Sequence, residues 1–264
     1  TANTGIGLYA LRLNTTGANN TAVGDSALYS NTTGTLNVSM GVNTLYSNTT
    51  GNYLTALGTN ALYNNTTASS NTAIGYQAAY TTNTGDQCVA VGRAALYYNT
   101  AGAANVAIGY TALYNNTTAN NNTAVGYQAG YSNTTGDGLV AIGWKALYAH
   151  TTGADNTAVG YNVMSSTTTG ANNAAFGTGA LTTNSTGNYN TALGRSALYS
   201  NTTASNNTAV GYTALYSNTT GSQSTAVGYQ ALYTQTTNSN STAVGAYALK
   251  LSTGNYNKIG RAHV

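Results

Sequence analysis

A large apolar residue followed by glycine returns along this chain at a fixed interval. The glycines are Gly7, Gly24, Gly41, Gly58, Gly75, Gly92, Gly109, Gly126, Gly143, Gly160, Gly177, Gly194, Gly211, Gly228 and Gly245, each 17 residues after the last. The residue before each is apolar throughout, from Ile6, Val23 and Met40 through Ile74, Val125 and Phe176 to Val244. Three residues after the glycine stands Ala, except at Thr44 and Val163. Next comes usually Leu, as in Leu28, Leu62, Leu113 and Leu198, relaxing to Ala79, Gly130 and Met164. Tyr follows in most repeats, from Tyr29 to Tyr233, and then a polar stretch such as Asn31 to Gly34.

This period decides the architecture. Helical-pair repeats need about 33 residues or more, and Gly, Asn and Thr are weak helix formers. Collagen needs glycine at every third residue, and a coiled coil needs heptads with charged flanks; the chain has neither pattern. The pattern predicts an all-β fold, a parallel β-solenoid or β-roll of fifteen 17-residue coils over residues 1–254. Each coil is expected to hold two short strands, such as 21–23 and 27–29. A bend at Gly24 and a longer polar turn over 31–37 join them. Coils stacked about 4.8 Å apart give a straight rod of roughly 70 Å.

Column by column, the stacking assigns roles. Val23, Ile74 and Val125, with Leu28 and Leu113, are expected to fill the narrow interior. The invariant Gly24, Gly75, Gly126, Gly160 and Gly211 mark places where a Cβ would clash or where φ is positive. The Ala22 and Ala27 columns read as close-approach faces, sheet against sheet or chain against chain. The Asn columns are expected to form hydrogen-bonded ladders. The column of Gly17, Gly34 and Gly51 also takes Ala68, Ala119 and Ala204, so left-handed geometry is not obligatory there. The pattern weakens from Met164 to Thr169 and at Thr182. It loses phase at Gly260, so residues 255–264, with Lys258, Arg261 and His263, read as an exit or cap.

Composition changes the picture in one respect. Charged residues are 4% of the chain, against about 25% in an ordinary globular domain. The surface must therefore be hydrated by Thr, Asn, Ser and Tyr. Seven scattered bases make no nucleic-acid groove, which needs a clustered basic stripe. No apolar run approaches the roughly 18–20 residues of a membrane helix, so no membrane insertion is expected. One cysteine forms no internal disulfide, and with so few His and acids no zinc site or other cofactor is implied.

The chemistry-bearing residues do not converge. Asp25 and Asp86 fall in different columns, as do Asp137 and Asp155, so no carboxylate pair of the glycosidase kind is supplied. His150 replaces the Asn of the polar turn and reads as an exposed substitution. Cys88 stands where other repeats carry Asn and reads as a buried or half-buried thiol. No enzyme is expected. Two surface readings remain. Tyr76, Tyr110, Tyr127, Trp144, Tyr161, Tyr212 and Tyr229 all follow the invariant glycine, in a column that also accepts Asp25, Thr59, Arg93 and Arg195. That column is expected to be exposed and is a candidate glycan contact, with Gln77, Gln128 and Gln230 beside it. Asn-x-Thr/Ser sequons recur at Asn14, Asn31, Asn48, Asn65, Asn116, Asn133, Asn184, Asn201 and Asn218, which makes them candidate glycosylation acceptors.

The strings at 71–75, 122–126 and 156–160, all Asn-Thr-Ala-Val/Ile-Gly, carry a family resemblance. They resemble the Asn-Ser-x-Ala-Ile-Gly repeat of trimeric autotransporter adhesin heads, which are left-handed parallel β-rolls in homotrimers. The fuller unit, with Tyr-Gln-Ala and Tyr-Ser-Asn-Thr-Thr-Gly, is more similar to repeat regions of bacteriophage tail-fibre-like proteins. The resemblance runs to about residue 254 and implies a parallel homotrimeric fibre. The role expected is structural: a fibre or stalk segment outside the cell or on a virion, spacing and presenting a binding domain. Two alternatives stand beside it. One is an adhesin shaft that holds cell-surface glycans or other surfaces through its Tyr and Trp columns. The other is a self-assembling extracellular filament, joined end to end by open strand edges.

Overall fold

The computed structural model describes residues 2–252, 254 and 258–259. Two units divide the chain, residues 1–135 and 136–264. The first holds β1 (Thr4–Ile6) through β8 (Thr123–Val125), and the second β9 (Val140–Ile142) through β15 (Thr242–Val244), followed by β16 (Lys258–Ile259). Within each unit every strand pairs in parallel with its successor. Up to β15 the step is 17 residues, so that Thr21 lies opposite Val38 and Ala22 opposite Ser39. The fold is the all-β parallel solenoid of 17-residue coils that the period demands. β16 continues the ladder with a shorter step, Thr242 facing Lys258. The rest of the segment 255–264, including Arg261 and His263, lies outside the described residues.

Each coil contains one strand, not two. The expected second strand, 27–29 and its equivalents, is a turn of alternating handedness: φ is +135° at Gly24, +55° at Ser26 and +52° at Leu28. This alternation sends backbone donors in opposite directions. The Ser26 N–H donates back to the Leu8 carbonyl at 2.8 Å, and the Leu28 N–H donates forward to the Thr44 carbonyl at 3.0 Å. A left-handed leucine costs about 1–2 kcal/mol. Full burial of its side chain returns about 1.5–3 kcal/mol, and the column is fully buried from Leu28 to Leu232.

The single strand also corrects the assignment of the core. A three-residue strand has one inward position, because successive side chains alternate. Ala22 and its column occupy that position and are fully buried, while the flanking residues turn outward. Val23 and Val125 are therefore half-exposed and Ile74 exposed, outside the interior they were expected to fill. The interior is instead lined by the Ala22 and Ala27 columns and closed by Leu28. Neither alanine column is free to pack against another chain. Where coil 3 departs from the rule it does so twice: Ser39 and Thr44 replace both alanines, and their buried hydroxyls pair at 2.6 Å.

The invariant glycine turns the chain out of the strand. At Gly75 φ is +134°, and a Cβ would sit 2.6 Å from the carbonyl oxygen of Gly92 in the next coil. Both reasons anticipated for the column hold there together.

Two polar spines complete the interior. Asn31 donates through Nδ2 to Asn14 Oδ1 at 2.7 Å and to the Gly34 carbonyl at 3.0 Å. Asn48 and Asn65 repeat the pattern up the stack. In the second spine Asn20 Oδ1 accepts from the Asn37 N–H, while its Nδ2 donates to the Gly34 carbonyl. Cys88 takes a place in this column: its buried thiol lies 3.3 Å from the Gly102 carbonyl, where an amide would donate. Burial pushes that thiol's pKa up, which keeps it protonated and unreactive. The first spine breaks where Thr82 replaces Asn. Asn65 Oδ1 and Thr82 Oγ1 are then buried without partners, a local cost of about 1–3 kcal/mol for each group.

Candidate functional site

Three rows of side chains face outward from the coils. The first is the apolar row before each glycine. Ile74 is 36% exposed, Ile108 39% and Ile142 38%, and Met40, Leu57, Phe176, Leu193 and Val244 are exposed as well. Soluble surfaces scatter such residues singly, and a contiguous row of them marks an interaction surface.

The second row is an aromatic ladder. Tyr29, Tyr46, Tyr63, Tyr80, Tyr97, Tyr114 and Tyr131 stack face to face, with centroids 5.0–5.3 Å apart. Tyr199, Tyr216 and Tyr233 form a second run in the other unit. The spacing follows the strand spacing, so it arises from the period itself. Burial and a bond to Tyr98 push the Tyr114 hydroxyl up to about 12; it remains a protonated donor at any physiological pH.

The third row follows the invariant glycine, and the structure places all its candidate glycan contacts on the surface. Tyr76, Tyr110, Tyr127, Trp144, Tyr161, Tyr212 and Tyr229 are exposed. These rings too lie on one another, Tyr110 on Tyr127 at 5.3 Å, Trp144 on Tyr161 at 4.7 Å, Tyr212 on Tyr229 at 5.4 Å. Ring faces in these pairs are shared between neighbours. Each stacked pair covers one face of each of its rings and leaves fewer open faces on which a sugar ring could stack. Between the second and third rows runs a groove of about 240 Å³, lined by Gln77, Arg93, Tyr97, Tyr110, Tyr114 and Gln128 among others.

The sequon asparagines are not on the surface. Asn31, Asn48, Asn65, Asn116, Asn133, Asn184, Asn201 and Asn218 are fully buried, and only Asn14 is half-exposed. Spine bonds commit their amides to neighbouring coils and to carbonyls three residues on. A folded coil therefore presents none of these eight nitrogens for glycosylation. Sequence reasoning placed Asn in a turn, and turns are usually exposed; this turn faces inward.

His150 shares that burial. It is inside the coil, with Asn156 Nδ2 3.2 Å from its Nε2. Desolvation lowers its pKa to about 4, against an ordinary 6.5. The unfolded chain thus takes up a proton at a pH where the folded chain does not. The contribution of neutral His150 is fully present above pH 6.5 and is lost progressively as pH falls toward 4. The gap amounts to about 3 kcal/mol. Urea denaturation at pH 7.5 and pH 4.5 is expected to show that loss, and His150→Asn, which restores the spine residue, is expected to flatten it. An equal acid loss in both proteins would place the cause elsewhere.

Among the described residues no group of three or more His, Cys, Asp or Glu could hold a metal ion, and no helix is long and apolar enough to cross a membrane. The comparisons with known proteins add no name: no family model matches the chain, and neither a curated protein nor a solved structure matches it. The chain is a regular structural repeat solenoid.

Proposed function

We propose that this chain is a shaft segment of an extracellular or virion fibre. Its role is to hold a binding domain at a distance from its base, and it works as a parallel homotrimer. The observation that carries this reading is the apolar row on the outer strand face, repeated at every coil without insertion. A lone shaft in water has no use for exposed Ile74, Ile108 and Ile142. Parallel copies brought together along the row would bury them coil against coil, and a matching period keeps the contact in register for any length. The similarity of the Asn-Thr-Ala-Val/Ile-Gly unit to trimeric adhesin heads and tail-fibre repeats points to three chains rather than two.

The test is the mass of the native chain in solution, measured by light scattering over a range of concentrations. Three chains per particle are expected. Ile74→Asp with Ile108→Asp is expected to give single chains with unchanged far-UV circular dichroism, because neither side chain belongs to the interior. A native chain that is monomeric, or that grows open-ended by stacking strand edges, would overturn the trimer. So would a variant that stays trimeric.

A further inference from the structure

The few charges of this chain are sorted by column. Arg12, Arg93, Lys145, Arg195 and Lys250 are all the Lys and Arg residues up to residue 257. Every one falls one, two or five residues after an invariant glycine, in the two aromatic rows or between them. Three of the four acids, Asp86, Asp137 and Asp155, fall eleven or twelve residues after the glycine, in the polar turn. In residues 136–257 the separation is complete: Lys145, Arg195 and Lys250 on the aromatic face, Asp137 and Asp155 on the other turn.

The cations are held by rings. Arg93 lies 5.8 Å from the Tyr76 ring and 5.7 Å from the Tyr110 ring. Lys145 lies 4.6 Å from Trp144 and 5.0 Å from Tyr148. Arg195 sits over Tyr212, and Lys250 over Tyr233 and Tyr247. Arg12 is placed in the same way over Tyr9 and Tyr29. A cation on a ring face is fixed in place without being neutralised.

The geometry points to a binding face for an acidic polysaccharide, a polyuronate-like chain lying between the two aromatic rows of the second unit. Its carboxylates would meet Lys145, Arg195 and Lys250. Its hydroxyls would meet the tyrosine hydroxyls and Gln230. One feature favours this occupant over single-stranded nucleic acid. Bases need open aromatic faces to stack on, and the rings of this face are stacked on one another or approached by cations. The same closed faces disfavour a neutral polysaccharide. This inference does not rest on the shaft reading, since a single chain carries the whole face.

The experiment uses the full chain with fluorescent alginate, neutral dextran and an oligo(dT) strand as probes, followed by anisotropy at two salt concentrations. Saturable alginate binding that weakens with salt is expected, with none to dextran and weaker binding to oligo(dT). Replacing the three cations, Lys145→Gln, Arg195→Gln and Lys250→Gln, is expected to weaken alginate binding tenfold or more at unchanged melting temperature. Thr178→Arg, which adds a cation to the row where Arg93 and Arg195 already stand, is expected to tighten it severalfold. Absence of alginate binding, tighter binding to oligo(dT), or unchanged affinity in both variants would overturn the proposal. None of these outcomes bears on the number of chains per particle.

Discussion

Gly211→Ala is expected to unfold or nearly unfold the coils around it. The position has φ +131°, and the new Cβ would lie 2.5 Å from the carbonyl oxygen and 2.7 Å from the carbonyl carbon of Gly228. Two costs therefore coincide. An L-residue held in that region of φ is strained by roughly 1–3 kcal/mol. The clash is with backbone that is itself tied down, since the Gly228 N–H donates to the Val210 carbonyl at 2.7 Å, so relief requires moving the next coil. A loss of about 4 kcal/mol or more places the substitution in the extreme tail of point mutations. The contrast is Gly187→Ala. A Cβ there would also meet backbone, the Ala204 carbonyl oxygen, and the Asn184 amide oxygen, but its φ is not left-handed, and the same column holds Ala68, Ala119 and Ala204, so the stack adjusts to a Cβ in this column. A cost below about 2 kcal/mol is expected. Thermal melting of the two variants side by side checks both statements. Equal melting temperatures would show that the invariant glycine is not required by its backbone.

Deleting residues 60–76 is expected to leave a folded protein one coil shorter, whereas deleting residues 60–67 is expected to break the first unit in two. The longer deletion joins the residue one after Gly58 to the residue two after Gly75, so every column keeps its phase. Strand β4 (Thr55–Leu57) then meets the strand at 89–91 as its natural successor, Ala56 opposite Ala90. The shorter deletion leaves nine residues to complete a circuit that takes seventeen. β4 and β5 (Thr72–Ile74) can no longer lie in the register of Thr55 against Thr72. The first polar spine is cut as well, since Asn65 goes. Repeat stability is close to a sum of coil and interface terms; one lost coil costs one increment, and one lost interface separates the stack. Hydrogen exchange would report protection on both sides of the junction in the first case and its loss around the junction in the second. Comparable protection in both would mean that phase is not what holds the coils together.

The sequence made some columns legible and misread others for identifiable reasons. The glycine column, the buried Leu28 column and the asparagine spines could be read because repetition turns each position into fifteen observations of one environment. The third row was legible as exposed because Asp25, Thr59, Arg93 and Arg195 share it, and no buried column would take all four. Val23, Ile74 and Val125 were misplaced because large apolar residues usually point inward. Nothing in a one-dimensional pattern says that the strand is three residues long with alanine at its only inward position. The buried His150 and the buried sequons were missed because polarity alone suggested solvent. Their amides face inward because each finds its partner in the next coil, and that partner exists only once the coils are stacked.

The period by itself determined the fold class, the parallel register and the identity of the ladders, since a residue repeated every 17 positions in stacked coils must meet its own copies. Only the tertiary structure decided which way each column faces. The direction depends on backbone handedness: Leu28 enters the interior because it adopts a left-handed conformation, which propensity argues against and which packing and a bond to the next coil enforce. It also took the folded coil to show that rings spaced by the strand repeat close on one another and hold the cations of this face.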